Sequence, residues 1–119
     1  MLIFAFAFAV PIPLTESHQR DISCVVEIAV LAEAQKRGSA SGADVQASGR
    51  RWAGIVGDRI MSETGQPREL VAVAMTETAR ARAGGQTDPA QISACTKQMI
   101  TELAMAEAVA APLPKPITQ

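Results

Sequence analysis

Apolar positions along the chain form four stretches at helical spacing, preceded by one stretch with no periodicity. Leu2 to Val10 is apolar at every position, then Pro11 and Pro13 break any helix and Thr15-Glu16-Ser17 turns polar. That order is the layout of a secretory leader. Nine residues are too few to cross a bilayer as a helix, which takes about 20. No basic residue precedes the run. Ala7-Phe8-Ala9 carries the small-x-small pattern of a cleavage site from inside the run, and cleavage after Ser17 fits the spacing better. Residues 1–17 are therefore read as a signal peptide, 18–111 as the domain and 112–119 as a proline-rich tail.

Four helices are expected in the domain. The first spans about Asp21 to Arg37, with Asp21 as cap, Cys24, Ile28 and Leu31 on one face, and Ile22, Val25, Ala29 and Ala32 beside them. Gly38 ends it and Gly38-Ser39-Ala40-Ser41-Gly42 is a flexible connection. The second spans about Ala43 to Thr64, with Val45, Trp52, Val56 and Ile60 in one stripe. Gly54 and Gly57 within it are expected to be close-packing points. Gly65 stops that helix and Pro67 starts the third, where a missing N–H costs nothing. So tight a connection makes the pair antiparallel. Leu70, Val71, Ala74, Met75 and Thr78 line the third helix, which ends at Ala83. Asp88-Pro89-Ala90-Gln91 opens the fourth with a cap, a proline and a glutamine able to reach back. Ile92, Cys95, Met99, Leu103 and Ala106 follow at helical spacing, and Pro112, Pro114 and Pro116 form an extended tail.

Composition agrees with helices. The apolar share of 48% supports a core, but it is built from alanine and aliphatic residues. All three phenylalanines lie in the first eight positions, there is no tyrosine, and Trp52 is the sole aromatic beyond the leader. Alanine favours helices, whereas strands favour aromatic and β-branched residues. The fold class predicted is all-α, an up-down four-helix bundle.

Two cysteines in an exported chain predict one bridge, Cys24–Cys95. In an up-down-up-down arrangement of these lengths the two lie on the first and fourth helices, about 3 Å apart in height. Two sulfurs and one histidine are too few ligands for a zinc site. No cofactor or metal is expected.

Charge narrows the partners. Once Glu16 goes with the leader, acidic and basic side chains balance at 11 each. A neutral, interspersed surface does not attract nucleic acid or anionic lipid, and no stable membrane insertion is expected once the leader is gone. Arg50 and Arg51 beside Trp52 are the candidate binding residues, able to meet a phosphate; the plainer reading makes the arginines a solvated face and Trp52 a core anchor. Arg80 and Arg82 complement the dipole at the end of the third helix. Glu63 is expected to pair with Arg59 on the surface, and Glu69 to support the start of the third helix. His18, the only histidine, falls in what should be a mobile lead-in.

No phosphate loop, nucleophile elbow or redox cysteine pair occurs, and no catalytic residue is assigned. The expected function is that of a periplasmic or secreted, non-enzymatic protein. It would work through contacts with another protein or with itself, as an accessory, inhibitor or chaperone-like factor. The alternative is a small-ligand binder with its pocket at Trp52.

Overall fold

A computed structural model describes residues 12–110. The apolar run Leu2–Val10 and the prolines from Pro112 onward lie outside the described residues. The chain forms four helices, α1 (Glu16–Lys36), α2 (Gln46–Thr64), α3 (Arg68–Arg82) and α4 (Pro89–Ala110), with no strand among the described residues. It is an all-α four-helix bundle in which a Cys24–Cys95 disulfide ties α1 to α4, their Cα atoms 5.1 Å apart.

The helix ends follow local chemistry. Gly65, at φ 72°, closes α2 in the left-handed conformation that glycine adopts without a Cβ penalty. Pro67 stands at the cap of α3, one position outside its first turn. Asp88 accepts from the Ala90 N–H at 3.0 Å and Pro89 opens α4.

α1 departs from expectation. It begins at Glu16 rather than about Asp21, because Thr15 and His18 form a reciprocal box. The Thr15 hydroxyl accepts from the His18 N–H at 3.2 Å, and His18 Nδ1 accepts from the Thr15 N–H at 3.1 Å. Histidine here fills the place of the usual Glu or Gln. Upstream, the Ile12 N–H donates to the Thr64 carbonyl at 2.8 Å and Leu14 packs on the core. The folded unit thus reaches back to Ile12, and a boundary at 17/18 would cut through the first turn of α1.

α1 and α2 are the central, antiparallel pair. His18 meets Glu63 at one end, and Ile28 meets Gly49 toward the other. A Cβ placed on Gly49 would lie 2.8 Å from Ile28 Cγ2, so this glycine sets how closely the helices approach. Gly54 has open space around it and Gly57 only an ordinary contact with Met75, so neither is the close-packing point expected of it. The core joins Ile22, Val25 and Ile28 of α1 to Val45 and to Trp52, Val56 and Ile60 of α2. Val71 of α3 and Cys95 and Met99 of α4 complete it.

α3 and α4 each lie on the α1–α2 pair, and their backbones do not approach one another. α3 therefore buries a narrow stripe. Val71 is enclosed, while Leu70, expected inside, is 51% exposed.

Candidate functional site

The structure separates the three residues read as a binding group. Trp52 is fully buried, and its indole Nε1–H donates to Glu102 Oε1 at 3.0 Å. It is a core anchor. Arg51 is exposed and pairs with Glu107 of α4 at 2.8 Å. Arg50 faces α1, beside a shallow hollow lined by Ala29, Ala32, Glu33, Lys36 and Gln46. With the ring enclosed, Arg51 paired to α4 and Arg50 beside α1, the three are not gathered into one group.

What does converge is a polar network of α1, α2 and α4 residues around Arg59. Its guanidinium donates to Glu102 Oε1 at 2.7 Å and to Asp21 Oδ2 at 3.1 Å. The Gln98 amide bridges the two acids, 2.9 Å from Asp21 Oδ1 and 2.9 Å from Glu102 Oε2. Burial opposes the charge on Glu102. The bonds from Trp52, Gln98 and Arg59, together with the Arg59 charge, outweigh it and hold the carboxyl below its ordinary value. Burial also opposes the Arg59 charge, but Glu102 and Asp21 outweigh it and the guanidinium keeps its proton more firmly still.

Two more pairs were missed from sequence. Glu27 is 5% exposed, and its Oε1 accepts from Arg82 Nε. The Arg82 guanidinium also holds the Gly85 carbonyl at 2.8 Å and the Thr87 hydroxyl at 3.1 Å. Rather than serving only the dipole of its helix, Arg82 pins the α3–α4 connection against α1. Glu27 Oε2 is the one buried side-chain oxygen without a partner among the described residues.

His18, expected in a mobile lead-in, is 6% exposed. Its Nε2 lies 2.8 Å from Glu63 Oε1. Because Nδ1 accepts a backbone N–H, these bonds assign the tautomer that carries its proton on Nε2. Glu63 consequently serves α1, and Arg59 turns inward instead of pairing with Glu63 on the surface.

Three of the missed residues had a modest signal. Asp21 shares the Cys24–Ile28 face at intervals of three and four, and Gln98 and Glu102 border the Cys95–Met99 stripe. A polar residue at the edge of an apolar stripe needs a partner once that edge is covered.

Among the described residues no group of three His, Cys, Asp or Glu could hold a metal ion, and no helix is long and apolar enough to cross a membrane. The disulfide points to an oxidising, non-cytosolic compartment. The hollows on the surface are mostly apolar. One of about 430 Å³ between α1 and α3 is lined by Val26, Ala29, Val30, Arg37 and Met75, among others. Another of about 390 Å³ lies between α2 and α4, its floor the Arg59–Glu102 pair and its wall Ile55, Met105, Ala106, Val109 and Ala110. The chain matches no protein-family model, no curated protein and no solved structure.

Proposed function

We propose that this is an exported, non-enzymatic protein of the periplasm or the secreted space that works through protein contacts, as an accessory, inhibitor or chaperone-like factor. The observation that carries the reading is the apolar surface shared by α2 and the end of α4. Met105 is 62% and Val109 88% exposed beside Ile55, Ala106 and Ala110. Apolar side chains gathered this way on a surface mark an interaction site more often than a chance exposure. A buried Trp52 supports the same choice, because the ligand-binding alternative placed its pocket there.

Export is proposed on the apolar run Leu2–Val10 and the prolines after it, and the Thr15–His18 box bears on where such a leader would be cut. Cleavage after Ala9 leaves Ile12, Leu14 and Thr15 in the folded unit, whereas cleavage after Ser17 removes all three. The mature chain is therefore expected to retain Thr15.

The test is affinity capture from the native envelope fraction, using the wild-type chain and a Met105→Glu/Val109→Glu variant. A stable protein partner held by the wild type and lost by the variant is the expected outcome. No stable partner, together with a copurified small molecule, would overturn the reading in favour of a ligand binder. The α1–α3 hollow, at about 430 Å³, is of ligand size and is where that molecule would then be sought.

A further inference from the structure

The face of α4 opposite the core is self-complementary in charge. Cys95 and Met99 turn one side of the helix inward. On the other side Lys97, Ile100, Ala104 and Glu107, spaced three, four and three residues apart, are all exposed. That is the spacing of the contact seam in a two-helix coil. Ile100 stands 59% exposed at its middle. Lys97 forms no ion pair among the described residues. Glu107 gives Oε1 to Arg51 and has Oε2 to spare.

We infer that two copies of this chain associate through this face of α4, antiparallel, about a two-fold axis level with Glu102. An antiparallel two-fold sets positions equally far above and below the axis opposite each other. Lys97 then meets Glu107 of the second copy, and Ile100 fills the space above that copy's Ala104, whose small side chain lets the helices close in. Symmetry repeats both contacts. A parallel pairing would instead set Lys97 against Lys97 and Glu107 against Glu107, which like-charge repulsion disfavours. The seam covers three turns of one helix, so the interface falls at the small end of specific contacts, below about 1,200 Å². The dimer is accordingly concentration-dependent.

This inference rests on the reading of the chain as one that acts through protein contacts, and it names one such partner. The test is sedimentation equilibrium of the disulfide-bonded chain from micromolar to millimolar concentration, with thermal melts to verify that each variant is folded. The wild type should pass from monomer to dimer. Ile100→Glu should weaken the dimer by about tenfold or more. Lys97→Glu, which sets acid against acid twice, should weaken it similarly, and adding Glu107→Lys in the same chain should restore it. Arg51 and Glu107 are each more than half exposed, so losing their pair leaves the fold intact. A wild type that stays monomeric, a dimer indifferent to Ile100→Glu, or a double variant that fails to recover would each overturn the proposal. Envelope capture that still depends on Met105 and Val109 while the chain stays monomeric would reject self-association alone and leave the broader reading standing.

Discussion

Single residues in α2 separate two uses of a small side chain. Gly49 lies against Ile28, a buried β-branched neighbour that cannot swing aside, so Gly49→Ala should destabilise the chain by about 1 kcal/mol or more. Gly54 has nothing within 4 Å. There, the same substitution should stabilise by up to about 1 kcal/mol, since alanine is the better helix former. Urea unfolding of the two variants checks the contrast; equal shifts would mean that α1 and α2 are not held at this distance. Trp52 gives a larger effect. Its ring is wholly enclosed, and Trp52→Ala should cost about 3 kcal/mol or more. It also leaves Glu102 without its indole donor. Native fluorescence should be that of a buried indole, and a solvent-like maximum would contradict this packing.

At the scale of the helix, the start of α1 depends on two side chains that serve each other. Removing the Thr15 hydroxyl frees the His18 N–H and should cost about 1 kcal/mol, a loss readable in the melting temperature of Thr15→Ala. An unchanged melt would place the true start of the helix later, near the Asp21 expected from its sequence. The link between α1 and α4 operates on the unfolded chain as well. Cys24 and Cys95 are 71 positions apart, and closing so long a loop should contribute about 4 kcal/mol by the chain-entropy argument. Reduction should lower the melting temperature clearly. A melt indifferent to reductant would leave the pairing in place but remove its share of the stability.

For the whole molecule, the network around Arg59 makes stability depend on acid. The folded-state pKa of Glu102 is depressed below its ordinary 4.5, so its contribution is complete above that value and is lost as pH falls through the lowered one. Urea midpoints measured from about pH 6 down to pH 3 should decline, and Glu102→Gln should flatten that part of the acid limb. An identical slope in the variant would show that the network adds nothing to the pH dependence. This network also marks where reading the chain from its sequence stops. The four helices, the stops at Gly38 and Gly65, the opening at Asp88-Pro89 and the Val45–Trp52–Val56–Ile60 stripe were legible because caps, prolines and periodicity act over a few residues. The disulfide was legible because two cysteines allow one pairing. The start of α1 was missed although its signal is local, since histidine stood in for the expected Glu or Gln. The Arg59 network, the Glu27–Arg82 clasp, the His18–Glu63 pair and the role of Gly49 were decided by tertiary structure alone. Periodicity tells which side of a helix is buried but not how far that helix is rotated or crossed against its neighbours. Those two quantities determine which polar edge of one helix meets which edge of another, and whether α3 and α4 touch.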